Sequence, residues 1–210
     1  MYAEEYFPRQ KQQRLFTSIK VLDNKIHLLE QHQKRMASSL SALYGAASVV
    51  DFQEIQAEVD TLDQGLYKLR VVYTPHYFKY ALTPYKMKVI RSLQCVATRH
   101  LEYAFKYEDR SGLDKLYAQR RGADDILIVK QGMVTDTSYG NVALLKDGVW
   151  YTPQLPLLHG TQRQHLVEQG IIKEALITES DFSSYSAIRI FNAMIEFGEL
   201  ELGMQRVGLL

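Results

Sequence analysis

Hydrophobic residues first gather in a β-rich run, Leu15–Val21 (LFTSIKV), which the turn pair Asp23-Asn24 ends and Ile26–Leu29 resumes. The spacing then becomes helical: Leu29, Met36, Leu40 and Leu43 share one face through Glu30–Tyr44, and Gly45 ends the helix. Asp51–Leu62 repeats that pattern with Phe52, Ile55 and Val59. Tyr67–Thr74 (YKLRVVYT) predicts a strand stopped by Pro75, and Phe78–Leu82 and Lys86–Leu93 predict two more. The register changes after Cys95. Asp114–Arg120 predicts a helix, and Asp125–Lys130 (DILIVK) a strand buried on both faces. Gly132 turns the chain, Asn141–Lys146 returns, and Asp147-Gly148 is a hairpin signal leading into Val149–Thr152. Gly160-Thr161 opens a helix running through Leu166 to Gln169 and closed by Gly170, and strands follow at Ala175–Thr178 and Arg189–Met194. These elements predict two domains, residues 1–98 as a small α+β unit and residues 99–210 as a larger β-rich one.

One stretch departs from simple alternation. In VKQGMVTDTSYGNVALLKDGVWYTP, Val129 to Pro153, the polar group Thr135-Asp136-Thr137-Ser138 interrupts two apolar runs where a hairpin needs only Asn-Gly or Asp-Gly. Asp136 reads either as a turn former bonding its own backbone, or as a carboxylate held at a sheet edge to meet a positive ring nitrogen.

Composition changes this picture little. The 210 residues are 46% hydrophobic and 23% charged, ordinary for a globular chain. A net charge of +1 without a basic tract gives no electrostatic case for nucleic acid. No apolar run approaches the roughly 20 residues that span a bilayer, and the lead-in MYAEEYFPRQKQQR lacks the apolar core of a secretory signal. Cys95 is the only cysteine, which excludes an internal disulfide and a cysteine zinc site and suggests a reducing, cytoplasmic setting. His27, His76, His100, His159 and His165 show no metal-ligand spacing, and no serine sits in a GxSxG frame.

Three places could carry chemistry. Lys106, among aromatics in LEYAFKYEDRS, is either a surface lysine near Glu108 and Asp109 or a desolvated amine suited to imine formation. Gly160-Thr161-Gln162-Arg163 is either a plain helix start or an anion site made of free N–H groups. His32 and Arg35 lie one turn apart, as a solvated basic face or a phosphate fork.

Their order along the chain is more specific than any one of them. A hairpin, HxxR, a lysine, a DD-apolar strand, V-T-[DE]-x-S-x-x-N, a DG-x-x-YTP hairpin, LL-x-G-T-x-R and a late N-A-M resemble the fold-type IV pyridoxal-phosphate enzymes, the class IV aminotransferases and aminodeoxychorismate lyases. The resemblance spans Leu15 to Met194 and is densest from Asp124 to Arg163. It implies a two-domain, D-amino acid aminotransferase-like α+β fold with a shortened N-terminal domain, a homodimer, pyridoxal 5'-phosphate as cofactor and a small-molecule amino substrate. By the same resemblance Lys106 holds the cofactor covalently and moves the proton. Asp136 meets the pyridine nitrogen, where most relatives have Glu. Arg35, Thr161 and Gln162 take the phosphate, Ser138 and Asn141 flank the cofactor, and Asn192 and Ala193 form a late loop beside it.

The lead-in strand of relatives is missing, and Tyr73-Thr74-Pro75-His76 replaces the Arg-Gly that often anchors a substrate carboxylate. The segment Lys106-Tyr-Glu-Asp109-Arg110 resembles the lyase pattern K-x-x-N-R. The first reading is therefore 4-amino-4-deoxychorismate lyase, releasing pyruvate and giving p-aminobenzoate. The second is an amino-acid aminotransferase, of branched-chain or D-amino acid type, with Arg9, Arg14 or Arg70 as carboxylate anchor. The third is a cofactor-binding protein without turnover.

Overall fold

The computed structural model describes residues 13–210. It begins with β1 (Leu15–Leu22), β2 (Lys25–Ile26), α1 (Leu29–Tyr44), α2 (Phe52–Val59), β3 (Leu66–Tyr73) and β4 (Phe78–Pro84). The strands form an antiparallel sheet in the order β2-β1-β3-β4. Alternation decides what each face does. Leu15, Ile19 and Val21 of β1 join Leu69, Val71 and Tyr73 of β3 against Met36, Leu40, Ile55 and Val59 of the helices. The intervening Phe16, Ser18 and Lys20, with Lys68 and Arg70, therefore face the other way. Gly45 caps α1 in the left-handed region at φ 61°, as its sequence position predicts. Asp51 caps α2 by accepting from Gln53 N–H at 2.8 Å.

The larger sheet draws on β5 (Leu93–Thr98), β6 (Asp125–Lys130), β7 (Met133–Thr137), β8 (Asn141–Lys146), β9 (Val149–Pro153), β10 (Lys173–Ala175), β11 (Ala187–Phe191), β12 (Glu201–Gly203) and β13 (Val207–Gly208). The main path runs β10-β9-β8-β7-β6-β5-β13, with β11 on β8 and β12 on β11. Helix α3 (Ser111–Tyr117) packs against β6, and α4 (Thr161–Glu168) meets α1 of the small unit.

Four expectations shift. Lys86–Leu93 is not a strand. Its alternation imitates one, but Lys88 donates to the Asp124 carbonyl and Arg91 N–H to the Asp124 carboxylate, so the backbone there joins no ladder. The strand is β5, parallel to β6. The α3 helix starts three residues early because Asp109 accepts from Ser111 N–H at 2.9 Å. The strands expected at Ala175–Thr178 and Arg189–Met194 lie at Lys173–Ala175 and Ala187–Phe191, the second ended by Asn192 bonding its own loop. Residues 201–203 and 207–208 form strands too short to show a period. Because β5 pairs only within the larger sheet, we propose that the domain division falls in residues 85–92 rather than between 98 and 99.

The two sheets are tied by Lys20, buried on β1, which pairs with Glu196 in the loop after β11. Glu196 is 54% exposed and Lys20 only 8% at the side chain, so the partners are not equivalent. Glu196→Ala strands a buried ammonium and should destabilise the chain by about 1–3 kcal/mol. Lys20→Met removes the buried charge itself and should cost less. Urea denaturation of both variants checks the order, and a more damaging Lys20→Met contradicts it.

Candidate active site

The polar interruption at Thr135-Asp136 is a β-bulge. Leu127 pairs with Thr137 and Val129 with Val134, so β7 carries one extra residue against β6. A bulge re-aims a side chain, and here Thr135 Oγ1 repairs the broken ladder by donating to the Ile128 carbonyl at 2.9 Å. Asp136 points into a cavity of about 500 Å³ between the two sheets. Its Oδ1 accepts from Asn141 Nδ2 at 2.7 Å and its Oδ2 from Leu158 N–H at 2.9 Å. Asn141 also donates to the Leu158 carbonyl at 2.9 Å. Gly160 lies so close that a Cβ there would sit 2.0 Å from Asn141 Oδ1, so only glycine leaves this brace intact. Burial pushes the Asp136 carboxyl up to about 6, against the two hydrogen bonds that favour its charged form.

Lys106 reaches the same cavity from the loop before α3. That loop is stitched to the free end of β1: Phe16 N–H donates to the Lys106 carbonyl at 2.9 Å and Glu108 N–H to the Arg14 carbonyl at 2.8 Å. The ammonium position lies 4.9 Å from the centre of the Phe16 ring. Burial, then Arg35 and Arg110, lower the lysine to about 7, and Asp136 opposes them. The result is an amine that can be neutral near neutral pH, as a nucleophilic lysine must be.

Arg35 lines the cavity at its α1 end. Its Nη2 donates to Thr17 Oγ1 at 2.7 Å, and its buried Nε has no partner among the described residues. A guanidinium with a buried, unpaired Nε and no carboxylate partner among the described residues calls for an anion. Thr161 lines the same end, where the amides of Thr161 and Gln162 precede the first helical bond of α4, from Gln164 N–H to the Gly160 carbonyl.

Of the residues the sequence singled out, Arg35, Lys106, Asp136, Ser138, Asn141, Thr161, Asn192 and Ala193 all line this one cavity. Gln162 does not line it through its side chain and can contribute only its amide. Asn192 spans its own loop: Oδ1 accepts from Met194 and Ile195 N–H, and Nδ2 donates to the Tyr139 carbonyl. Sequence reasoning missed Lys68, Tyr85 and Tyr103, which also line the cavity, as does Arg110, which the sequence offered only as part of the K-x-x-N-R pattern. The i, i+2 pair Lys68 and Arg70 on β3 was a signal for one polar face, but no single sequence shows that this face meets another domain. Arg9 lies outside the described residues, and Arg14, paired with Glu108 at 2.7 Å, is not among the cavity-lining residues. Cys95 is buried in β5, and burial pushes its thiol up to about 12, so it is inert.

The family pattern for amino-transferase class IV matches residues 106–199. An uncharacterised protein of Haemophilus influenzae is 37% identical over 182 residues, covering 86% of this chain and 97% of its own. The crystal structure of a putative 4-amino-4-deoxychorismate lyase from Haemophilus somnus shares 35% identity at a TM-score of 0.82, over 88% of this chain and 98% of its own. The chain belongs to the class IV aminotransferase family. A pyridoxal-phosphate-bound hypothetical aminotransferase from Mycobacterium tuberculosis, 16% identical at a TM-score of 0.74 over 94% of this chain and 84% of its own, shares the fold. The two-domain fold-type IV architecture expected from the sequence is therefore the observed one, on a short chain. Class IV aminotransferases depend on pyridoxal phosphate, and the three features above suit that group: a guanidinium with a buried, unpaired Nε for a phosphate, a buried carboxylate for a ring cation, and a buried amine lining the same cavity. Among the described residues no cluster of His, Cys, Asp or Glu could hold a metal ion, and no helix is long and apolar enough to cross a membrane.

Proposed function

We propose that this chain binds pyridoxal 5'-phosphate in the inter-sheet cavity and acts as a 4-amino-4-deoxychorismate lyase, releasing pyruvate and leaving p-aminobenzoate. The single observation that carries the choice is the charge of the cavity wall. Beyond Arg35 and Lys106, it holds Lys68, Arg110 and Arg70, the last already paired with Glu108, against one lining carboxylate, Asp136. Such a wall favours a substrate with two carboxylates beside its amine.

The residues take the following roles. Arg35, the Thr161 hydroxyl and the Thr161 and Gln162 amides hold the phosphate. Asp136, fixed by Asn141 and Leu158, keeps the ring nitrogen protonated. The cofactor supplies an electron sink when a bond at the amine-bearing carbon breaks. Lys106 anchors the cofactor in the resting enzyme, then takes and returns a proton within the substrate. Its lowered pKa lets it accept that proton near neutral pH. Arg110 donates to the Ser138 carbonyl at 2.7 Å, which fixes its guanidinium in the cavity wall near enough to Lys106 to lower that lysine's pKa. Arg70 lies over the Phe16 ring, 4.1 Å from its centre, and pairs with Glu108 at 3.4 Å. Phe16, Leu113 and Leu157 supply apolar cover that limits water. The reading includes a cytoplasmic homodimer.

Arg70 and Lys68 also favour a second reading, an amino-acid aminotransferase that holds its acid through β3 instead of the missing Arg-Gly loop. One assay separates the two. Given 4-amino-4-deoxychorismate and no keto acid, the lyase releases pyruvate and p-aminobenzoate in equal amounts, followed by lactate dehydrogenase coupling and chromatography. Turnover that appears only when 2-oxoglutarate or pyruvate is added with an amino-acid donor makes it the aminotransferase.

A further inference from the structure

His32 is the one imidazole that is completely buried, at 0% exposure, yet the roles above do not use it. It sits one helical turn before Arg35 on α1. Thr17 Oγ1 lies 2.7 Å from His32 Nδ1, and Thr161 Oγ1 lies 3.3 Å from His32 Nε2. A single ring thus joins β1 and α1 of the small unit to the first residue of α4 in the large one. The proton directions follow from the donors. Arg35 can only donate, so Thr17 Oγ1 accepts from Arg35 Nη2 at 2.7 Å. The Thr17 hydroxyl proton then has one partner among the described residues, His32 Nδ1, which must be bare. A neutral ring with a bare Nδ1 carries its proton on Nε2 and donates it to Thr161 Oγ1. The Thr161 hydroxyl, already accepting, turns its own proton into the cavity that it lines.

We infer that His32 is a positioning residue: held as the neutral Nε2–H form, it sets Arg35 and the Thr161 hydroxyl as one donor pair for a phosphate, across the two sheets. The inference rests on the proposed cofactor only for the identity of that phosphate; the relay itself is a property of the chain. Burial, then the nearby Arg35 and Lys106 charges, hold the imidazole well below its ordinary pKa, which agrees with a neutral ring. The arrangement also explains why Thr17 stands on the helix-facing side of β1 among apolar residues at 0% exposure: its hydroxyl proton and one of its lone pairs are both engaged.

Two measurements test it. In the ¹⁵N-labelled protein without cofactor, the His32 ring, identified by the resonances lost in His32→Leu, should show a protonated Nε2 and a bare Nδ1 at pH 7. A protonated Nδ1, or an imidazolium, overturns the relay. Separately, His32→Leu should weaken pyridoxal 5'-phosphate binding about tenfold, the scale of a lost pair of neutral hydrogen bonds, while pyridoxal, which lacks the phosphate, changes less than about twofold. His32→Gln, whose amide can still donate toward Thr161, should recover part of the loss. Equal weakening of both compounds, or lower folding stability with an unchanged ratio, overturns the positioning role. Should the wild-type chain take up neither compound, the cofactor reading fails, and the ring tautomer still decides the relay.

Discussion

Lys106→Ala should abolish covalent fixation of pyridoxal 5'-phosphate by borohydride and lower turnover of 4-amino-4-deoxychorismate by roughly 10³-fold or more, the range lost with a positioned proton carrier and nucleophile. The wild-type chain should gain the mass of the reduced cofactor on Lys106 itself. Mass spectrometry of the peptide containing residue 106 reads the first effect and steady-state kinetics the second. Fixation on any other lysine sinks the assignment. The same lysine carries a stability consequence in the protein without cofactor. Its folded pKa is lowered to about 7, below its value in an unfolded chain, about 10.4. Between those values the unfolded chain binds more protons, so stability rises as pH rises from about 7 toward 10. Below about 7 the full penalty of a buried ammonium is present. Lys106→Met removes that penalty and should stabilise the cofactor-free protein at pH 7 by about 1–3 kcal/mol. Urea denaturation at pH 7 and pH 10 should show the gap closing at the higher pH. A variant less stable than wild type at pH 7 contradicts the desolvated amine.

Asp136→Asn should be the second most damaging change. The amide has the carboxylate's shape but cannot balance a protonated ring nitrogen, and its NH₂ must oppose either Asn141 Nδ2 or Leu158 N–H, both donors. We expect turnover to fall by roughly 10²–10³-fold, the scale of losing one electrostatic group in a dry site, with cofactor affinity falling far less. Retention of more than about a tenth of wild-type turnover removes Asp136 from the mechanism. The pH sign differs from that of Lys106. A carboxyl raised to about 6, from about 3.9 when unfolded, binds an extra proton in the folded chain between those values. Its penalty is therefore absent below about 4 and complete above about 6. The cofactor-free Asp136→Asn protein should lose that pH dependence in acid denaturation. A bound ring cation should restore the charged carboxylate by the opposite-charge effect.

The helices and most strands were legible because their hydrophobic faces repeat locally. Met36, Leu40, Ile55 and Val59 each bury on the side their spacing assigns, and Gly45 and Asp147-Gly148 fold as the left-handed and hairpin residues they resemble. Lys86–Leu93 misled because alternation predicts only that two faces differ, not that a neighbouring strand is there to pair. Lys106 carried only an ambiguous local mark of the role proposed for it, its aromatic neighbours. A lysine among aromatics is usually solvated, and its pKa falls only because β1 closes over it and Arg35 and Arg110 approach from separate elements. Lys68 and Tyr103 stayed hidden for the same reason: each sits on an unremarkable position until two sheets face each other.

By itself, then, the sequence determined most of the elements and the resemblance that gathered the candidate residues, a lysine and an acid among them. The bulge that turns Asp136 into the cavity, the neutral ring of His32 joining Thr17 to Thr161, and the excess of cations on the cavity wall were decided only by tertiary structure. Periodicity is written in neighbours along the chain, whereas desolvation and electrostatic fields depend on atoms that only folding brings within a few ångströms of one another.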